Sequence, residues 1–193
     1  MGKVVIDISV SLDGYISGPN DRPDEGLGDG GDRLHNWVWN GEIAESDSTL
    51  MTESLAAVGA LVCGRRTYDN SKPYWGVGKG PHGDVPVFVV SHGVDEDGVG
   101  DHTPFTWVGD IQTAYEQAVK AAGERDVRVM GGASVPQQFL AAGLVDEVTI
   151  HLVPAFLGGG QRLFDNLGPD VVLEQTAVVS SPALTHLTYR TVR

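Results

Sequence analysis

Cysteine is almost missing from this chain of 193 residues: Cys63 is the only one. A lone thiol makes no intrachain disulfide and no cysteine-based zinc site. Basic residues are scarce as well, 13 against 26 acidic ones, for a formal charge of −13. Non-specific binding to nucleic acid or to an anionic membrane needs a basic surface, so neither is an expected partner. No apolar run approaches the 18 or more residues of a membrane span. The opening "MGKVVIDISV" has no basic region followed by an unbroken apolar core, so no signal peptide is expected and the cytoplasm is the expected compartment. Two signatures are also lacking, the G-x-x-x-x-G-K-[ST] of an NTPase and the G-x-S-x-G of a hydrolase elbow, and "GGAS" (131–134), between an expected strand and helix, is not the G-x-G-x-x-G of a Rossmann site.

What remains is a chain with 41% hydrophobic residues, enough for one domain over 1–193 and short for two. "KVVIDISVSL" (3–12) alternates, with Val4, Ile6, Ile8, Val10 and Leu12 on one face and Val5, Asp7, Ser9 and Ser11 on the other, which predicts a strand. Residues 18–33, "GPNDRPDEGLGDGGDR", have no periodicity and predict a long loop of the lid or binding kind. "LHNWVW" predicts a short helix or a structured part of that loop. "ESDSTLMTESLAAV" predicts a helix capped by Ser46 or Asp47. Strands are expected at 60–64, 85–91, 104–108, 126–130 and 145–156. Helices are expected after Asp110, with Gly123 as the stop, and over "SVPQQFLAAG", with Ser134 and Gln137 at capping-box spacing. "VVLEQTAVV" and "ALTHLTYRTV" predict a closing antiparallel hairpin. Strands alternating with helices and then two closing strands predict an α/β domain. Its central sheet is mainly parallel, with helices on both faces and an antiparallel edge.

In such sheets ligands bind at the carboxyl ends of strands. Four expected strand ends carry small, polar or basic residues: "SLDG", "CGRRTY", "VVSHG" and "MGGAS". Arg65 and Arg66 beside Thr67 offer guanidinium forks matched to phosphate, or they pair with the abundant carboxylates. Ser91 and His92 offer a hydroxyl and an imidazole, or form a turn. Gly131 and Gly132 either allow a tight turn or let phosphates approach the start of a helix. Asp7 interrupts a buried strand, where an unpaired carboxylate is costly. It is either a substrate clamp whose burial raises its pKa, so that it also donates a proton, or a paired core acid. Asp13 is a second proton-donor candidate, or the acid of a D-G turn. Trp37, Trp39, Tyr74 and Trp75 form an aromatic wall for a planar substrate, or simply pack. His151 lies mid-strand and reads as a satisfied core residue.

The segments "VSLDGYIS", "CGRRTYD", "VVSH" and "VMGGASVPQQFLAAGLVDEVTIHLVPAFLGGGQRLF" resemble the dihydrofolate-reductase-like family of bacterial reductases. More narrowly, they resemble the C-terminal reductase domain of the bifunctional riboflavin biosynthesis protein. The resemblance implies a dihydrofolate-reductase-like fold and NADPH-dependent reduction of a pyrimidine- or pterin-like molecule, similar to 5-amino-6-(5-phosphoribosylamino)uracil. It implies that Arg65, Arg66 and Thr67 hold the 2′-phosphate side of NADPH and that Ser91 and His92 lie along the adenosine. It places Gly131, Gly132, Ala133, Ser134 and Val135 at the pyrophosphate. Trp37, Tyr74 and Trp75 are then the substrate-side candidates, with Asp7 and Asp13 as the catalytic ones and no metal. Together with the apolar "LVPAFL" stretch and the closing strands, the likeness also implies a homodimer. Two departures stand out. One cysteine cannot supply the zinc deaminase site of the bifunctional protein. The helix after the first loop has no carboxylate between Leu34 and Asn40, where dihydrofolate reductase binds its pterin. Dihydrofolate reductase itself and a non-catalytic NADPH-binding protein are the rival functions.

Overall fold

The computed structural model describes residues 2–39, 43–76, 79–93, 104–168 and 171–192. The chain runs β1 (Val4–Ser11), β2 (Tyr15–Ser17), a 3-10 turn (Gly31–Leu34), α1 (Asn36–Trp39), α2 (Glu45–Ala57), β3 (Val58–Gly64) and α3 (Arg65–Trp75). It continues through β4 (Val87–Val90), β5 (Phe105–Val108), α4 (Ile111–Ala122), β6 (Asp126–Val129), α5 (Ser134–Ala141) and β7 (Glu147–Val153). The short β8 (Gln161–Arg162) and the hairpin strands β9 (Val172–Ser180) and β10 (Thr185–Val192) finish it. Eight strands form one sheet in the order β5-β4-β3-β6-β1-β7-β10-β9, and β2 pairs with β8 apart from it. Every pairing from β5 across to β7 is parallel, while β10 is antiparallel to both β7 and β9. This is the expected mainly parallel sheet with its antiparallel C-terminal edge.

Alternation along β3 shows why helices cover both faces. Ala60 and Val62 join one core with Val4, Ile6 and Val10 of β1, Ala114 and Ala118 of α4, and Phe139 of α5. Leu61 and Cys63 point the other way, into a core with Tyr68 of α3 and Val87 and Val89 of β4. Both faces of a central parallel strand must be apolar when both are covered. Burial in this second core pushes the Cys63 thiol up to about 12, so it stays an inert apolar filler. Along β1 the alternation holds at Val4, Ile6 and Val10, but Leu12 lies past the strand and is exposed.

Helix ends follow the sequence in one case and depart from it in two. Asp110 caps α4 by accepting the Thr113 N–H at 2.8 Å, and Gly123 ends it with a φ of 65°. α2 starts one residue before Ser46, with Ala44 at its cap and no side-chain cap. Asp47 falls inside the first turn and is buried, because its carboxylate is drawn to Ser181 and His186. α5 begins at Ser134, and Ala133 at its cap is already helical in backbone conformation. Ser134 is therefore too far inside to cap, and its Oγ accepts from Gln138 instead. Gln137 turns away to donate to the carbonyls of Arg162 and Leu163.

The β6–α5 turn answers why two glycines stand there. Gly132 has a φ of 92°, in the left-handed region, and a β-carbon on it would collide with Oγ1 of Thr67. That hydroxyl is fixed by donating to the Gly131 carbonyl, so the start of α3 and the start of α5 lie against each other only across a residue without a side chain. Gly132→Ala is expected to lower the free energy of unfolding by more than about 1 kcal/mol in urea titration, since both backbone and contact resist it.

Candidate functional site

A cavity of about 560 Å³ opens at the carboxyl ends of β1, β3 and β6. Ile8 and Ser9 of β1, Arg66 and Thr67 of α3, and Met130, Gly131 and Gly132 after β6 line one side. The long loop supplies Asp21, Gly26 and Leu27, α1 supplies Trp37, Val38 and Trp39, and α2 supplies Leu50, Met51 and Ser54. The loop is ordered by a carboxylate at its centre. Asp21 accepts from Nε of Arg66 at 2.7 Å, from Nδ2 of Asn70 at 2.9 Å and from Nε2 of Gln161 at 3.0 Å. Arg66 is thereby bound by the loop. Arg65 diverges from it, pairing with Asp69 at 2.8 Å and lying over the Trp107 ring, 5.4 Å from the centroid. Ser91 folds onto the backbone of Gly93, and His92 is exposed beside it just after β4.

Strand register brings the deepest polar group together. Asp7 of β1 stands opposite Thr149 of β7, Ser9 opposite His151, and His151 opposite His186 of β10. All point from the face opposite the α4–α5 core. The Asp7 carboxylate accepts from Ser54 Oγ at 2.5 Å, lies 2.7 Å from His151 Nε2 and 3.3 Å from the Arg128 guanidinium. Arg128 also donates to Ser54 Oγ. Beyond it, His151 Nδ1 is 2.7 Å from His186 Nδ1, and His186 Nε2 is 3.1 Å from the Asp47 carboxylate. Trp37 covers this row, with ring centroids 5.0 Å from His151 and 5.4 Å from His186, and it donates to Ser9 Oγ at 3.2 Å.

These contacts correct the expectation that Asp7 has a raised pKa. Burial does push it up, but the His151 hydrogen bond, the Arg128 charge and the Ser54 hydroxyl together outweigh burial and hold it well below the usual carboxylate range. Asp7 is an anion at neutral pH and holds no proton of its own to donate. Both readings of it survive in part: it borders the cavity, and it is paired with a core arginine. Asp13 lies outside the cavity lining. Its carboxylate accepts from the Ser11 hydroxyl at 2.6 Å and from the amides of Leu157 and Gly158, contacts that bring it down to about 2. It clamps the end of β1 to the loop after β7.

Of the aromatic residues, Trp37 and Trp39 reach the cavity. Tyr74 is exposed, and Trp75 stacks on Phe105 in the second core. Ala133, Ser134 and Val135 follow the diglycine at the start of α5 outside the cavity lining, and Val135 is buried in the main core. Sequence reasoning passes over Asp21, Ser54, Arg128, Gln161 and His186, and it reads Asp47 only as a helix cap. The alternation of Thr149 with His151 and of His186 with Thr188 marks one polar face on each strand. Only the register shows that the two faces are one. Ser17 Oγ and Nδ1 of His35 and of His82 are buried at the cavity without a hydrogen-bond partner among the described residues. Burial, with a smaller push from His151, brings His35 down to about 4, so it is neutral and ready to donate or accept.

Asp7→Asn leaves Arg128 buried without its counter-charge and is expected to cost about 3–5 kcal/mol in urea unfolding at pH 7. Asp7→Asn with Arg128→Met is expected to recover most of that loss. Because folding depresses the Asp7 pKa, its contribution is full above the unfolded value of about 3.9 and disappears as pH falls below it. The acid limb of the wild-type stability curve should be steeper than that of the double variant.

Comparison with known proteins agrees with this architecture. The RibD C-terminal domain model matches residues 2–187. The uncharacterized protein YwjB of Bacillus subtilis is 27% identical over 165 residues, covering 86% of this chain and 84% of its own. The crystal structure of a riboflavin biosynthesis protein from Shewanella sp. PV-4 superposes with a TM-score of 0.74 at 26% identity, over 99% of both chains. A diaminohydroxyphosphoribosylaminopyrimidine deaminase/5-amino-6-(5-phosphoribosylamino)uracil reductase from Thermotoga maritima superposes at 0.66 with 17% identity, over 99% of this chain and 57% of that one. With a match over almost its whole length, on the fold shared with dihydrofolate reductase, the chain belongs to the RibD C-terminal domain family of reductase domains.

Proposed function

We propose that this protein is an NADPH-dependent reductase that passes hydride to a small pyrimidine- or pterin-like substrate in the cavity. The observation that carries the reading is the division of that cavity. One end is backbone and small residues, Gly131 and Gly132 with Thr67, at the start of α5, where only the Ala133 amide meets a side chain, Gln161 at 3.4 Å. The other end is Trp37, His35 and the Asp7–His151 group. The first end fits a pyrophosphate: a β-carbon at Gly132 would fill the cradle, and no side chain of α5 caps its first amides. Arg65, Arg66, Ser91 and His92, at the ends of β3 and β4, would hold the adenosine half. Arg65, paired with Asp69, and Arg66, paired with Asp21, are the candidate partners for the 2′-phosphate.

When bound, the nicotinamide supplies the hydride, and the protein's part is alignment and exclusion of water. Trp37 and Trp39 offer flat surface to a heterocycle, and His35, His82 and Ser17 offer unpartnered polar atoms to its ring nitrogens and oxygens. Asp21 holds the loop of residues 18–33 against α3, which positions Gly26 and Leu27 over the site. The cytoplasm is the proposed compartment; among the described residues no helix is long and apolar enough to cross a membrane.

We also propose a homodimer. β9 is an edge strand whose residues are mostly exposed, including Val172 and Val178, and Val192 of β10 is exposed beside it. An open apolar edge is covered readily by a second copy. Light scattering at micromolar concentration is expected to give twice the chain mass, and a monomer would remove the proposal.

Fluorescence titration is expected to show tighter binding of NADPH than of NADH. Arg65→Ala should weaken NADPH by roughly ten- to a hundredfold, the loss of one charged hydrogen bond of about 1.5–3 kcal/mol. NADH binding should change little. Equal affinity for both cofactors in the wild type would reject the assignment.

A further inference from the structure

The row Asp7, His151, His186, Asp47 has three contacts between heteroatoms, at 2.7, 2.7 and 3.1 Å. Each contact needs one bridging proton, because two bare lone pairs at such distances repel. Two neutral imidazoles bring only two protons. If both donate from Nε2 to the carboxylates, their Nδ1 atoms face each other with nothing between them. If one donates from Nδ1, its Nε2 meets a carboxylate bare. The row therefore holds a third proton, wherever along it that proton sits. The charges agree with the count. Asp7 and Asp47 are negative and Arg128 is positive, so the extra proton brings the buried group to neutrality. A net buried charge would be strongly unfavourable.

We propose that this row is a proton relay, which stores one mobile proton beneath the cavity and delivers it to the substrate as hydride arrives. The proposal rests on the reductase reading above. The relay spans two openings. Asp7, Ser54, Arg128 and His151 border the main cavity and also a second one of about 250 Å³ behind it. His186 borders only the second, together with Glu53, Asp126 and Glu147. The other groups acting on the row are fixed in charge or neutral at pH 7. Arg128 and Ser54 hold Asp7, Ser181 holds Asp47, and His35 and His82 are each lowered by burial. His186 is 3% exposed, while His151 and Asp7 are the members of the row that border the main cavity.

The step balances without another reactant. An electrophilic substrate carbon gains the hydride, and its π pair moves to the neighbouring oxygen or nitrogen. That atom takes a proton from the Asp7–His151 end, and NADPH leaves as NADP⁺. The His186 side regains a proton from solvent through the second cavity. Asp7 and His151 border the substrate and are the catalytic members, while His186 and Asp47 are positioning residues that act through them.

The test compares wild type with His186→Gln and Asp47→Asn. Glutamine can still donate to Asp47 and accept from His151, but it cannot pass a proton. Spectra of ¹⁵N-histidine-labelled protein at pH 7 should show three ring protons on the His151–His186 pair. Only two would overturn the proposal whatever the activity. Stopped-flow NADPH oxidation is followed with 5-amino-6-(5-phosphoribosylamino)uracil and with dihydrofolate as probes, in mixtures of H₂O and D₂O. The wild-type rate should curve with deuterium fraction, as expected when several protons move together, and fall as pH rises and the stored proton is lost. In His186→Gln the rate should drop at least about tenfold, with a linear deuterium dependence and unchanged NADPH affinity. Asp47→Asn should do the same if His186→Gln fails to unfold cooperatively. Wild-type oxidation with an unaltered profile in both variants defeats the relay alone. Absence of NADPH binding and oxidation in the wild type defeats the reductase reading, and the relay falls with it.

Discussion

An ionised carboxylate in the middle of a central strand constrains most of this molecule. Asp7 sits on β1, with β6 on one side and β7 on the other, where water reaches little of it. Burying such a charge is tolerable only with an opposite charge and donors at close range. Those partners come from three separate elements: Arg128 from β6, Ser54 from α2 and His151 from β7. α2 is thereby tied to the sheet face by its polar residues more than by an apolar stripe, since Asp47 is its only buried residue. The same cluster forms the floor of the cavity, so the group that orients α2 also shapes the binding space.

The two ends of the cavity are built from different materials. At the diglycine the surface is backbone, shaped by a left-handed residue and by the closeness of α3 to α5. Backbone amides at a helix start suit any anion of the right shape and vary little with sequence. At the other end the surface is side chains from α1, α2 and the loop around Asp21, which are free to differ in size and polarity. A common hydride donor with varying acceptors would call for this division. It agrees with a family in which this chain shares only about a quarter of its residues with its relatives.

The fold was legible because its signals are local. Period two along β1, the cap at Asp110, the stop at Gly123 and the order of strands and helices need no knowledge of distant partners. The glycine turn before α5 was legible for the same reason, since the left-handed Gly132 is a local feature. The opposite end of the cavity was not. Ser46 and Asp47 look like caps from sequence, and Asp47 is instead drawn 139 residues away to His186. Asp7 looks like a carboxyl group that burial should neutralise, and His151, 144 residues later, together with Arg128 reverses that, where the alternation of each strand says only which way its residues face. Tyr74 and Trp75 carry the right chemistry, but the turn of α3 sends one to solvent and the other to the second core. Long-range pairing decides each of these, and a single sequence does not display it.

Trp37 gives the buried row an optical voice. Its indole stands edge and face to both imidazoles, about as near as rings pack, and its N–H is held by Ser9. A protonated imidazole accepts an electron from an excited indole, and a neutral one does so poorly. Emission from Trp37 is thereby coupled to the charge of the two histidines, in a pocket where a heterocycle would lie against the same indole. The protein carries, against its buried histidines, an indole placed to report their charge.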